Sequence, residues 1–376
     1  MPLQLHSLVR PDGQLEISLA DVPMPVPASP EDVVIQVEAA PINPSDLGNL
    51  LAGADMQQAT LTGSADRPVV TAPLSAAALA AAQRRVGVPL PVGNEGAGTV
   101  VAAGSAAAAQ ALMGRRVAAL AGGGMYGEFQ SAPAAQCLLL PAGATAAEGA
   151  SSFINPLTAL GMIETMRQGG YASLLHTVAA SNLGQMLNRI CLKDGVPLVN
   201  LVRRPEQAAL LRAQGAQQVL DTSQPEFNAQ LIDTLAATDT RLAFDATGGG
   251  TLIAQVLAAM EAALLRRPGL PYSRYGSQIH KQAYVYGFLQ RGPIELPPGF
   301  GFSWGLAGWL LFTFMQQLAP ARLSALKQRV ADELTTTFAS HYERELTLSE
   351  LLTPAALQQC QRMATGQKTL VRLTAA

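Results

Sequence analysis

From Ala146 onward the apolar residues of this 376-residue chain change period, and that change limits the fold more than any other feature. A helix-period stretch over 147–167 leads into an apolar strand over 173–178. Helix 183–193, strand 196–202, helix 205–214, short strand 217–220, helix 225–236 and strand 241–245 follow. Strand and helix alternating in this way predict a doubly wound parallel sheet. A further strand is expected over 283–289, then an apolar stretch over 300–315 and a helix around 319–333. A strand near 335–341, a helix around 353–364 and a last strand over 369–373 complete the pattern. Residues before about 140 read differently. Asp12-Gly13 is a hairpin signal, Pro23 to Pro30 an extended link, 33–39 a strand and 75–85 a helix. Glycines kink a strand over 93–101, and Arg116 to Leu120 is another strand, so this part predicts a small, irregular β-barrel.

The segment over 173–204 reads strand, tight turn, helix, strand, then two cations. A dinucleotide-binding βαβ unit has this layout, with glycines for the turn, for close approach to a pyrophosphate and for helix-on-strand packing. Those three places hold Ala179, Ser181 and Gly184. Alanine and serine are the next smallest side chains, and Ser181 carries a hydroxyl that can donate to a phosphate oxygen. The first helical turn, with Ala180, Ser181, Asn182, Leu183 and Gly184, would present free N–H groups to the anion. Gly195 is placed to stop the helix. Where an acid would grip a ribose 2′-hydroxyl, the next strand ends instead on Arg203 and Arg204. Guanidinium pairs with phosphate bidentately, so the pair points to NADPH. A basic first turn of the next helix, with Pro205 at its first position, is the plainer alternative.

Composition narrows the class. The net charge is −2, with 14% charged residues, so neither a nucleic-acid footprint nor a polybasic membrane patch is expected. Cys137, Cys191 and Cys360 are scattered and odd in number, which predicts a reducing compartment rather than a disulfide framework. The opening residues show no basic segment followed by an apolar one, so a cytoplasmic location is expected. The stretch 300–315 is shorter than the ~20 residues of a spanning helix and contains three glycines, so core, subunit contact or pocket wall is expected there.

Several segments now carry a likeness. They are Ala40-Pro41-Ile42-Asn43-Pro44-Ser45-Asp46, Gly93-Asn94-Glu95-Gly96-Ala97-Gly98, Phe153-Ile154-Asn155-Pro156-Leu157-Thr158-Ala159, the 179–184 turn and Phe244-Asp245-Ala246-Thr247-Gly248-Gly249. Gly215-Ala216 and Lys368-Thr369-Leu370-Val371 fit as well. With them in this order, the chain resembles the zinc-free branch of the medium-chain dehydrogenase/reductase superfamily, the quinone oxidoreductase and enoyl reductase group. Residues 52–90 and about 262–280 match nothing in that pattern.

The resemblance implies an α/β protein: a GroES-like β-barrel domain plus a Rossmann doubly wound parallel-sheet domain, with a cleft between. Residues 1–147 and 335–376 would form the substrate domain and 148–334 the dinucleotide-binding domain. Asn43 and Thr158 would lie near the nicotinamide, Thr247 and Gly248 would border the cofactor, and Gly287, Phe288 and Leu289 would pass beside its nicotinamide end. A homodimer is implied as well. The departures also count. Asn94 stands where zinc-dependent relatives carry His, no Cys lies near Pro44-Ser45-Asp46, and only four histidines occur, so no zinc site is expected. His176 is expected to be a satisfied core side chain, and His280 a solvated loop residue. Enoyl reductases of this branch place a Tyr soon after the Asn-Pro-Ser-Asp segment, and none follows here, although Tyr126, Tyr272 or Tyr275 could fold into the cleft.

The expected activity is transfer of hydride from NADPH to a quinone or α,β-unsaturated carbonyl acceptor. The cofactor would supply the chemistry and the protein the position and electrostatics. Trp304, Trp309, Phe288 and Phe302 are candidates for an aromatic acceptor pocket, core packing or a dimer interface being the alternatives. No nucleophile–His–acid constellation is found, and no proton donor is assigned. An enoyl-thioester reductase is the alternative within the reaction class. An NADPH-binding sensor or scaffold without turnover is the alternative outside it.

Overall fold

The computed structural model describes residues 1–290, 292–362, 365–366 and 368–373. The chain divides into two compact units, residues 1–154 with 327–376, and residues 155–326.

The first unit is built on β1 (Leu3–Val9), β2 (Gln14–Asp21), β3 (Asp32–Pro41), α1 (Pro44–Leu51), β4 (Thr60–Gly63), β5 (Pro68–Pro73) and α2 (Ala76–Ala81). It continues with β6 (Leu90–Pro91), β7 (Glu95–Ala103), α3 (Ala107–Gln110), β8 (Arg116–Leu120), β9 (Phe129–Pro133), β10 (Cys137–Leu139) and α4 (Ala146–Gly149). The crossing into the second unit falls at the start of α5 (Ile154–Gln168). That unit holds β11 (Leu174–His176), α6 (Asn182–Asp194), β12 (Leu198–Val202), α7 (Pro205–Ala213), β13 (Gln218–Asp221), α8 (Phe227–Thr238), β14 (Leu242–Asp245), α9 (Leu252–Leu265), β15 (Lys281–Val285), β16 (Trp304–Gly308) and α10 (Leu311–Gln317). The return crossing lies inside α11 (Pro320–Asp332), and β17 (Arg344–Thr347), α12 (Leu348–Leu351), α13 (Pro354–Arg362) and β18 (Thr369–Arg372) finish the first unit.

Two sheets form the barrel-like first unit. One has the order β4-β5-β2-β1-β6; the other runs β10-β8-β7-β3-β18-β17, with β9 also pairing β3. Alternate residues Leu5, Val9, Leu15, Ile17, Val33, Ile35 and Val37 are fully buried in one core, as a half-buried sheet requires. The β3–β7 ladder slips register between Val34 and Ile35 and again between Val37 and Ala39. Gly98 lies in that stretch, and a Cβ there would stand 1.9 Å from the Gln36 carbonyl oxygen. Residues 52–90 supply β4, β5, α2 and β6, so they complete the five-stranded sheet.

The second unit is a six-stranded parallel sheet in the order β13-β12-β11-β14-β15-β16. Strand order reverses beside β11, the topological switch point of a doubly wound fold. Residues 268–280 lead into β15 and are tied to α9 by Glu261. Its carboxylate accepts from Ser277 N (2.6 Å), Ser277 Oγ (2.7 Å) and the buried Lys281 Nζ (2.5 Å).

Several expected elements need correction. The helix over 147–167 is two helices, α4 and α5. No strand forms over 335–341, because Thr336 and Phe338 give their N–H groups back to the Glu333 carbonyl as α11 ends in turns. The strand is β17, a few residues later. The strand over 283–289 stops at Val285, leaving Gly287, Phe288 and Leu289 in a loop. The stretch over 300–315 contains β16 and the start of α10. The end of the helix expected over 353–364 lies outside the described residues.

Candidate functional site

Four loops leave the carboxyl ends of adjacent parallel strands in the second unit, and they carry most of the predicted site residues. β11 ends at His176. Thr177 Oγ1 then donates to Asp245 Oδ1 (2.7 Å) and accepts from Ala246 N (2.9 Å), so the ends of β11 and β14 are pinned together. The turn passes through Val178 with φ +53°, a left-handed conformation that costs a β-branched residue energy. Ala179 N reaches the Leu201 carbonyl (3.0 Å), which keeps the turn against β12. Ser181 caps α6, its Oγ accepting from Gly184 N at 3.1 Å. Gly184 is demanded by contact: a Cβ there would lie 2.2 Å from the Ala179 carbonyl oxygen. Ala180 and Leu183 are buried, and Asn182 opens the helix. Gly195 closes α6 with φ +66°.

Arg203 and Arg204 follow β12 directly and are both exposed. Arg203 N donates to Gln207 Oε1, and Arg204 lies 3.8 Å from Glu206 at the start of α7. After β14, Asp245 accepts from Thr247 N (3.0 Å), Thr247 Oγ1 (2.7 Å) and Gly248 N (3.0 Å) as well as from Thr177. The loop after β15 lies on this one. Leu289 N and Gln290 N donate to the carbonyls of Ala246 and Thr247 (3.1 and 2.8 Å). Gly248 has φ +65°, and a Cβ there would stand 2.2 Å from the Gly287 carbonyl oxygen. Phe288 projects from this loop and is 77% exposed. Thr158 is buried in α5. Thus the turn at 177–184, Arg203 and Arg204, Thr247 and Gly248, and 287–289 lie along one sheet edge, where ligands of open α/β sheets bind.

Behind that edge, His176 is fully buried and its Nε2 is 2.7 Å from the Tyr286 hydroxyl. Burial drives the imidazole down to a pKa of about 3, so it is neutral, and holds the Tyr286 phenol protonated. Of the other candidate tyrosines, Tyr126 is buried and donates to the Pro41 carbonyl (3.0 Å), while Tyr272 and Tyr275 are exposed. Trp309 packs edge-on to Phe244 and donates to Thr165 Oγ1 (3.0 Å), and Trp304 packs against Phe300, so the tryptophans serve packing. Phe302 is 79% exposed.

Asn43 belongs to the first unit, where it sits in a buried polar cluster that sequence reasoning did not assemble. Its N–H donates to Asp46 Oδ2 (2.8 Å) and its Nδ2 to Glu95 Oε1 (2.7 Å), while its Oδ1 accepts from Lys368 Nζ (2.9 Å). Asp46 Oδ1 also takes Asn94 N (3.0 Å), and Glu95 Oε2 takes Phe153 N and Ile154 N (2.8 and 3.0 Å) at the start of α5. Burial raises the Asp46 carboxyl to about 6 and pushes Glu95 up. Desolvation lowers the Lys368 ammonium to about 8, against the pull of Glu95 and Asp46. The one cue in sequence was the Asn43–Asp46 spacing, a helix-capping pattern.

The fold class is thus α/β: a GroES-like unit and a unit built on a Rossmann-type doubly wound parallel sheet. Residues 29–177 match the alcohol dehydrogenase GroES-like domain family. Over 167 residues the chain is 28% identical to a quinone oxidoreductase of Pseudomonas aeruginosa, a match covering 44% of this chain. The chain spans about half the length of that relative, 51%. Among solved structures it is similar to a provisionally assigned NADPH:quinone reductase from Mesorhizobium loti, with TM-score 0.72, 25% identity, and 99% of this chain and 98% of that one covered. It also shares the fold of the Escherichia coli quinone oxidoreductase complexed with NADPH, with TM-score 0.69 and 16% identity over 99% of both chains.

Proposed function

We propose that this chain is an NADPH-dependent reductase that delivers hydride to a quinone or another conjugated carbonyl acceptor without zinc. The observation that carries the reading is the edge formed by the 177–184 turn and the paired Arg203 and Arg204 one strand away. The similarity to the M. loti NADPH:quinone reductase supports it. The N–H groups of the first turn of α6 and the Ser181 hydroxyl hold the pyrophosphate, and the small Ala179 and Ala180 let it approach. The two guanidinium groups take the 2′-phosphate. The loops ordered by Asp245 present Thr247, Gly248, Gly287, Phe288 and Leu289 to the nicotinamide side, with Asn43 and Thr158 also assigned there. Bound NADPH supplies the hydride; the chain supplies position. A quinone accepts hydride readily and needs no dedicated acid. In the first unit the carboxylates of Asp46 and Glu95 are already committed to backbone N–H groups, Asn43 and the Lys368 cation, a poor set for a divalent ion.

The test is the double variant Arg203→Ala/Arg204→Ala. Hydrogen bonds to charged groups contribute about 1.5–3 kcal/mol each, so titration calorimetry should show NADPH weakened at least tenfold and NADH almost unchanged. Equal loss for both coenzymes would sink the phosphate assignment. Steady-state assays with quinones and with enoyl thioesters then decide the acceptor. Turnover of enoyl thioesters alone makes the chain an enoyl reductase, and tight NADPH binding without turnover makes it a sensor.

A further inference from the structure

We propose that Lys368 is a positioning residue for the reduction, acting through Asn43. The inference rests on the reading above that Asn43 serves the nicotinamide side. The Asn43 carboxamide is gripped at both ends, its oxygen by the Lys368 ammonium (2.9 Å) and its nitrogen by Glu95 (2.7 Å). An ammonium only donates and a carboxylate only accepts, so the amide fits one way round; a flipped amide would oppose donor to donor and acceptor to acceptor. The other oxygen of the same Glu95 carboxylate accepts from Phe153 N and Ile154 N, which fixes the carboxylate itself. A cation–amide–carboxylate relay in a desolvated setting is an expensive way to hold a fold, since apolar side chains of similar volume stabilise as well. Its distinctive product is one orientation of Asn43. Lys368 enters just before the last strand, beside the Tyr342 ring, whose centroid is 6.0 Å from Nζ.

Lys368→Met would leave Glu95 uncompensated, so the decisive variant is Lys368→Met/Glu95→Gln, which removes the Glu95 charge together with the ammonium that balances it. The expected result is a folded protein that binds NADPH within threefold of wild type, with kcat down at least tenfold. The primary deuterium isotope effect from 4-deuterated NADPH should rise, because a misplaced amide slows hydride transfer itself. The wild-type kcat should decline above about pH 8 as the ammonium loses its proton, and the double variant should lose that decline. The charged and titratable groups facing Lys368 are Glu95 from β7, Asp46 from α1 and Tyr342. Lys368→Arg, which retains both the positive charge and a donor toward Asn43, should keep kcat within threefold while also losing the pH dependence, since a guanidinium stays protonated. A double variant with wild-type kcat and isotope effect overturns the inference. If it does not fold, an unaltered pH profile in Lys368→Arg overturns it instead. A wild-type protein that neither binds NADPH nor turns over brings down the parent reading, a separate outcome.

Discussion

Residues chosen for their small size are the most exacting here. Gly184 has ordinary helical backbone and needs no conformational freedom; it is fixed by the Ala179 carbonyl oxygen, 2.2 Å from where a Cβ would sit. That obstacle is backbone, so Gly184→Ala must push α6 off β11. Overpacking of this kind costs about 1–3 kcal/mol. The expected outcome is a thermal midpoint lower by several degrees and NADPH binding weakened more than tenfold, read by differential scanning fluorimetry and by coenzyme titration. A variant with unchanged coenzyme affinity would show that the turn does not hold a diphosphate. Sequence showed Gly184 as the one glycine of a degenerate fingerprint. It could not show Asp245 joining Thr177 to the local turn at Thr247 and Gly248, because Thr177 reaches it only when β11 and β14 become neighbours.

Secondary-structure elements tell a similar story about what is local and what is not. α6 could be foreseen end to end: Ser181 caps it, its apolar spacing buries one face, and Gly195 ends it in the left-handed region. Ser181→Ala should therefore cost about 1 kcal/mol of stability through the lost cap. Urea unfolding followed by tryptophan fluorescence is the check, since both tryptophans, Trp304 and Trp309, lie in the same unit as α6. No shift in the midpoint would mean that the cap is redundant. The parallel strands were legible because each is an apolar run between helices. The misplaced strand over 335–341 shows the limit. Its threonines and Phe338 favour a strand locally, but the N–H groups of Thr336 and Phe338 are taken by Glu333, and the ladder to β18 forms at Arg344–Thr347 instead. The buried cluster of Asn43, Asp46, Glu95 and Lys368 was hidden for the related reason that its members lie up to 325 positions apart.

At the scale of the whole molecule, buried ionisable groups set the response to acid. His176 is neutral in the fold with a pKa near 3, against 6.5 when unfolded. Below pH 6.5 the unfolded chain takes up a proton that the fold refuses, so this group's contribution to stability is present at neutral pH and is lost as pH falls. By linkage the loss is about 2 kcal/mol at pH 5. Asp46 works in the opposite sense: its carboxyl is raised to about 6, so the fold is favoured by protonation and the benefit disappears as pH rises from 3.8 through 6. His176→Gln isolates the first effect. Relative to wild type it should gain stability as the buffer moves from pH 7.5 to pH 5, measured by urea titration of tryptophan emission. A constant difference between the two proteins would show that His176 is not the acid-sensitive group.

The first unit is discontinuous, and this bears on how the chain is made. β18 pairs Ala39–Pro41 of β3, yet it leaves the ribosome only after the whole of the second unit has done so. Until it arrives, that length of β3 stays an open edge able to recruit a stranger's strand, and Glu95 and Asp46 lack the lysine that balances them. Residues 155–326 are meanwhile complete and free to fold first, so the nascent amino-terminal portion must wait, half closed, while the domain nested within it matures.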